Sequence, residues 1–226
     1  MRRILIFALL ISCTVTAQIR DRNDIEFIPF VGMASSGYYG SKEVQDNKSL
    51  FAPVFGINAD FYMNSRWSVK MGIEYQTMGT RGYTSRVAAD PISHNFYEYH
   101  YAKEKLNFFS FPIHANLHFG KTRNWNINLG PTISFLTSGS LDGEKININN
   151  LRKEQAGMGL GFGYRFHINE NFSIAIDYQE YISFTSNIFR GFGHKKSFIG
   201  NISGNLNVRA VFKLKSNAPS EEPISI

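Results

Sequence analysis

The sequence predicts an all-β chain: an eight-stranded antiparallel up-and-down transmembrane β-barrel, with short periplasmic turns and longer extracellular loops. Three observations carry that expectation. Apolar and polar residues alternate through run after run. Short and long connections between the runs take turns along the chain. The polar side of the runs is mostly Gly, Ser, Asn, Thr and Gln, which suits a narrow lumen better than a solvated sheet face dense in Lys and Glu.

At the N-terminus, Arg2 and Arg3 precede the apolar run "ILIFALLIS", and "VTA" (Val15 to Ala17) offers a small-residue cleavage site. Residues 1–17 therefore read as a secretory signal peptide. "LISC", ending at Cys13, also resembles a lipobox, which would make Cys13 the lipidated first residue instead. Otherwise the mature chain has no cysteine and no disulfide. Residues 18–24 form an N-terminal periplasmic segment, 25–214 the barrel, and 215–226 a disordered periplasmic tail rich in Ser, Pro and Glu.

The first strand, within "IEFIPFVGMASS", is the least regular. The second sets Phe55, Ile57, Ala59, Phe61 and Met63 against Gly56, Asn58, Asp60 and Tyr62. A turn at Asn64 to Arg66 leads into the third, with Trp67, Val69, Met71, Ile73 and Tyr75 opposite Ser68, Lys70, Gly72, Glu74 and Gln76. The fourth opposes Phe109, Phe111, Ile113, Ala115, Leu117 and Phe119 to Ser110, Pro112, His114, Asn116 and His118. The fifth, from Trp125, opposes Ile127, Leu129, Ile133 and Phe135 to Asn126, Asn128, Thr132 and Ser134. In the sixth, Met158, Leu160, Phe162, Tyr164 and Phe166 face away from four glycines and Arg165. The seventh, "FSIAIDYQEY", sets Phe172, Ile174, Ile176 and Tyr178 against Ser173, Ala175, Asp177 and Gln179, and the eighth holds Leu206, Val208 and Phe212 against Asn205, Asn207, Arg209 and Lys213.

Each run is about 10 to 13 residues, enough for a tilted crossing that needs ~9–11. Long loops are expected at 37–50, 80–105, 137–153 and 186–196. Trp67, Trp125 and Phe172 open strands after short turns, while Tyr62, Phe119 and Phe166 close strands before them, as an interfacial aromatic girdle requires. The apolar faces are thus expected to meet lipid, and a backbone in hydrocarbon must close on itself. A secreted soluble barrel with an apolar ligand pocket is the alternative, and it explains neither the aromatics nor the glycines.

The runs "KMGIEYQTMGTRG", "FFSFPIHANLHFG" leading to "NLGPTISF", and "GMGLGFGYRF" resemble the porin-family (PorT-type) outer-membrane β-barrel domain of Bacteroidetes, over about residues 25 to 214. The resemblance implies an outer-membrane location, and some members of that family are associated with protein secretion. The motifs specify architecture and are nearly silent about activity. The stretch after Phe212 departs from the terminal aromatic at which such barrels often end.

Asp60, Lys70, Glu74, His114, Arg165, Asp177 and Arg209 are expected to project inward, and buried charges demand partners. The expected result is a polar network that plugs the lumen. His114 and His118 stand roughly 13 Å apart along a strand, too far to share one metal. "GMGLGFG" has period two with no helix following, so it is no dinucleotide fingerprint; its glycines make room for large neighbours such as Arg165. Arg190, Lys195 and Lys196 suit contact with lipopolysaccharide phosphates. The aromatic 80–105 loop is the expected partner surface. Its Ser85, Asp90, Ser93, His94, Glu98 and His100 hold the residue types of a catalytic triad without a compelling spacing.

No cofactor, metal or nucleic acid is called for. A net charge of +6 over the whole chain is weak and scattered. The expected role is a structural or interaction protein contacting outer-membrane lipid and other envelope or secretion proteins, with a narrow solute channel or a lipid-modifying enzyme as alternatives.

Overall fold

The computed structural model describes residues 20, 22–40, 48–87, 97–185 and 198–214. These residues form nine strands: β1 (Ile25–Gly40), β2 (Lys48–Tyr62), β3 (Trp67–Val87), β4 (Tyr97–Phe119), β5 (Trp125–Leu141), β6 (Glu144–Lys145), β7 (Glu154–His167), β8 (Phe172–Ser183) and β9 (Ile199–Leu214). All neighbours pair antiparallel. β6 is a two-residue stub on β5. The other eight form the ring β1-β2-β3-β4-β5-β7-β8-β9, closed where β9 returns to β1 and β4 meets β5. Closure leaves no edge strand, the condition a sheet must meet where no water can satisfy its backbone.

The inversion of polarity is visible residue by residue. On β9, Leu206 is 60% exposed while its neighbours Asn205 and Asn207 are 4% and 1% exposed. The same holds on β5, where Leu129 and Ile133 look out and Asn128, Thr132 and Ser134 are enclosed. A continuous apolar belt of this size on a water-soluble protein would aggregate.

The short turns follow from two asparagines. Asn64 Oδ1 accepts from the amides of Arg66 (2.9 Å) and Trp67 (3.0 Å). Asn169 Oδ1 does the same for Asn171 (3.0 Å) and Phe172 (2.8 Å). Each side chain folds its own turn and hands the chain to an aromatic at the rim. At the third turn Gly120 takes a φ of 86°, which glycine adopts without strain.

The structure corrects several expectations. The strands run 12 to 23 residues instead of 10 to 13. Most of the 80–105 segment is not loop but ladder, paired from Arg81 with Lys103 up to Val87 with Tyr97. Apolar–polar alternation fades in this stretch, while Thr, Tyr and Val still favour extended backbone. Likewise β1 reaches Gly40, and the 137–153 segment holds the end of β5, the β6 stub and a 3-10 turn at Ile148–Asn150. Tyr62 belongs to the interior, not the girdle: it is 3% exposed and donates to Glu26. The signal-peptide, lipobox and tail expectations lie outside the described residues.

Because lipid-facing charge is costliest near mid-bilayer, Leu129→Arg should lower stability by ~2–4 kcal/mol. Urea unfolding in lipid vesicles, followed by the loss of the compact band on gels, measures it. The same change at Met63, beside a turn, should cost no more than about 1 kcal/mol.

Candidate functional site

The interior of the barrel is the candidate site. Its side chains arrange in layers from the turn end to the loop end.

At the turn end stands Glu26 of β1, 1% exposed. Arg165 of β7 grips it with a two-pronged fork, Nη1 to Oε1 at 2.6 Å and Nη2 to Oε2 at 2.8 Å. Arg20, also 1% exposed, donates from Nε to Oε1 at 3.1 Å and lies over the Tyr62 ring. The Tyr62 hydroxyl donates to Oε2 at 2.8 Å. One carboxylate thus collects two guanidiniums and a phenol, the charge-assisted geometry that compensates desolvation best. Nearby, His118 Nε2 lies 3.0 Å from the Ser68 hydroxyl, and His167 lies 3.0 Å from both Ser173 and Asn124.

In the middle layer, Arg209 of β9 donates from Nε to Asp177 Oδ1 of β8 at 2.6 Å and stacks over Phe30, 4.6 Å from the ring centroid. Gln179 Nε2 donates to the other oxygen of Asp177 at 2.5 Å. Asp60 accepts from Asn116 Nδ2 at 3.0 Å, and Asn116 in turn accepts from Asn126. Lys70 stands in register between Asp60 and His114. A cavity of about 20 Å³ is lined by Asp60, Lys70, Asn116, Arg165, Asp177 and Arg209 among others, roughly the room one water needs. Asp60 Oδ1 and both Nη atoms of Arg209 have no protein partner, so a water there finds polar company.

Above this layer, Glu74 accepts from Asn58 at 3.3 Å. His114 Nδ1 lies 2.9 Å from Asn128 Oδ1, and its Nε2 lies 3.1 Å from the Thr132 hydroxyl. The ring has space because β7 is glycine there: a Cβ at Gly159 would stand 2.6 Å from His114 Nε2. At Gly161 it would meet Gln179 and Asn128, and at Gly163 it would meet Asp177. The glycines therefore make room for side chains on facing strands and not for Arg165 on their own.

Toward the loop end the fill changes character. Met78, Leu106, Phe108, Leu136 and Tyr181 form a buried apolar cluster, with Tyr38, Ile146, Ile148 and Leu151 packed against it.

Arg209 pairs with Asp177, but Arg165 pairs with Glu26, and Glu74 is held by an amide. Glu26 and Arg20 escaped the sequence reading. Glu26 lies in the run whose inner face also carries Ile28, Phe30 and Ala34, so alternation gave no inside. Arg20 precedes any strand pattern. Of the girdle, Trp67, Phe119, Trp125 and Phe166 are exposed at the turn end and Phe172 is partly so. Trp125 stacks on Phe162, and Phe172 packs against Phe212. Arg190, Lys195 and Lys196 lie outside the described residues, as do Asp90, Ser93 and His94; of Ser85, Glu98 and His100 only the backbone is described. Among the described residues no group of three or more His, Cys, Asp and Glu is placed to hold a metal.

The model of the outer membrane protein beta-barrel domain matches residues 16–188, most of the chain. This chain belongs to that family. It is a bacterial outer-membrane protein. Its fold resembles Neisserial surface protein A, at 14% identity over 83% of this chain and 97% of that one, TM-score 0.48. It also resembles the attachment invasion locus protein Ail of Yersinia pestis, at 13% identity over 84% and 99%, TM-score 0.42, and OprG of Pseudomonas aeruginosa, at 12% identity over 88% and 100%, TM-score 0.42. No curated protein sequence matches this barrel.

If Glu26 holds the turn end together, Glu26→Ala should cost ~3–5 kcal/mol, because it strands two buried guanidiniums. Glu26→Leu with Arg165→Leu should cost less than the single change. Urea midpoints of the refolded barrels in detergent micelles check both; a loss below about 1 kcal/mol would mark the pair as wet.

Proposed function

We propose that this outer-membrane barrel serves a structural or interaction role, and neither conducts solutes nor catalyses a reaction. What supports the reading is the pairing and closure of the interior. Four enclosed cations, Arg20, Lys70, Arg165 and Arg209, stand among the carboxylates Glu26, Asp60, Glu74 and Asp177, while Asp24 pairs with Lys213 at the turn end and Glu104 lies toward the loop end. An apolar cluster caps them from the loop end. An eight-strand lumen is just wide enough for side chains to fill it, and a filled lumen gives an ion no path.

The resemblance to PorT-type barrels of Bacteroidetes narrows the role to an accessory of protein secretion or envelope assembly. Its partners would then be outer-membrane lipid and lipopolysaccharide, the latter reached by Arg190, Lys195 and Lys196, together with other envelope or secretion proteins. The projecting β3–β4 hairpin is the surface such a protein partner would meet.

Planar-bilayer recordings of the purified barrel should stay at membrane leak, and incubation with labelled lipid should leave the lipid unchanged. Crosslinking in intact cells should recover envelope proteins bound to the hairpin. Discrete conductance steps would replace this reading with a narrow channel, and modified lipid with an enzyme.

A further inference from the structure

Above the apolar belt, at the loop end, the registers of three strands bring three cations into line. Lys48 of β2 pairs with Arg81 of β3, and Arg81 pairs with Lys103 of β4. Two positions down β4, Lys105 pairs with Ser140, which pairs in turn with Lys145. Like charges directly opposite on a sheet repel each other. Such a row weakens the barrel unless an anion sits among its members.

Among the described residues no side chain supplies that anion. Among the described residues no ion pair joins Lys48, Arg81, Lys103 or Lys105 to a carboxylate. Asp142 accepts from the Lys103 backbone amide at 2.7 Å and makes no ion pair with the row's side chains. Glu104 alternates to the other face of β4, opposite the buried Thr80, and Glu144 sits a strand away on the β6 stub. Arg81 spends one hydrogen bond internally, from Nε to the Ser49 carbonyl at 3.0 Å, so its Nη groups remain for a bidentate oxyanion.

The height of the row identifies the source of the anion. Lys48 lies three residues beyond Phe51, Lys105 four beyond Phe109, and Arg81 six beyond Tyr75. With ~3.3 Å per residue and a strand tilt of ~35–45°, the cations stand about 8–15 Å past the last lipid-facing aromatics. That is the headgroup level of the outer leaflet, within reach of long side chains lying along the wall. We infer that Lys48, Arg81, Lys103 and Lys105 form a binding site for the phosphate groups of the outer leaflet's phosphorylated glycolipid. The inference rests on the outer-membrane location and deepens the lipid contact proposed above, on residues of the strand wall and not of the 186–196 loop.

The test uses the full barrel and a variant carrying Lys48→Gln, Arg81→Gln, Lys103→Gln and Lys105→Gln, each refolded into phosphatidylcholine vesicles. The vesicles contain no lipopolysaccharide, lipopolysaccharide, or its enzymatically dephosphorylated form. Two readouts are taken: the thermal unfolding midpoint, and lipopolysaccharide retained through detergent purification by native mass spectrometry. The wild type should be stabilised only by the phosphorylated form and retain at least tenfold more of it than the variant. Without lipopolysaccharide the variant should match or exceed the wild type in midpoint, because the repulsion is gone. Single substitutions at Lys103 or Lys105 should give intermediate retention, which keeps the test intact if the fourfold variant fails to fold. Equal retention of both glycolipid forms would overturn the inference. So would loss of retention on Arg190→Gln, Lys195→Gln and Lys196→Gln with the wall variant unaffected. Binding of soluble heparin without binding of vesicle lipopolysaccharide would overturn it in favour of a soluble polyanion.

Discussion

A backbone in hydrocarbon has no water to bond, so every amide and carbonyl of the belt must find a partner within the sheet. Closure of the ring through β1 and β9 satisfies that requirement and fixes everything else. It divides each strand into a lipid side and a lumen side, and it sets the lumen's width. It also brings together residues far apart in the chain: Glu26 and Arg165 are 139 positions apart and share two hydrogen bonds. The interior charges are thus a consequence of closure and also its fastening.

The lumen is filled in two ways, and the difference follows from what each end must exclude. The turn-end half uses ions and amides, whose neutrality depends on pairing. The loop-end half uses Met78, Leu106, Phe108 and Leu136, which need no partners and shed water. Small and large residues face each other in between, glycines of β7 against His114 of β4, Gln179 of β8 and Asn128 of β5. Packing of this kind leaves room on the scale of one water beside Lys70 and Asp177.

How much of this was legible depended on whether one face of a strand differs from the other. Where lipid lies on one side and amides on the other, as on β5, β7 and β8, the sequence displays both period and direction. Where the inner face is itself apolar, as with Ile28 and Phe30 on β1, the period survives and the direction is lost, and Glu26 went unrecognised with it. In the upper parts of β3 and β4 the sequence loses its apolar–polar alternation, so they read as loop. Partner identity was the least legible feature, because alternation reports which way a side chain points and not which strand stands across the lumen. That is why alternation placed Arg165 inside with Asp60 and Asp177, beside which it lines one cavity, without revealing Glu26 on the first strand as its partner.

The buried ions have a further consequence for assembly. β7 carries glycine at four successive inward positions and large apolar side chains between them. A slip by one residue would exchange these faces, and the lumen has no room for it: even a Cβ at Gly159, Gly161 or Gly163 would stand within 2.7 Å of His114, Gln179 or Asp177. The two ends of β7 are pinned by the Arg165 fork on Glu26 and by Asn201, whose Nδ2 donates to Gln155 Oε1 at 2.8 Å. A one-residue slip would turn Arg165 out of the lumen toward the lipid-facing side, where an arginine costs ~2–4 kcal/mol at the midplane and less near the rim, and would strand Glu26 inside. Glycine packing and ionic anchoring therefore act in the same sense: the glycines let the lumen hold large polar side chains of other strands and leave no room for Met158, Leu160 or Phe162 of a slipped strand, and the anchors hold both ends in that register.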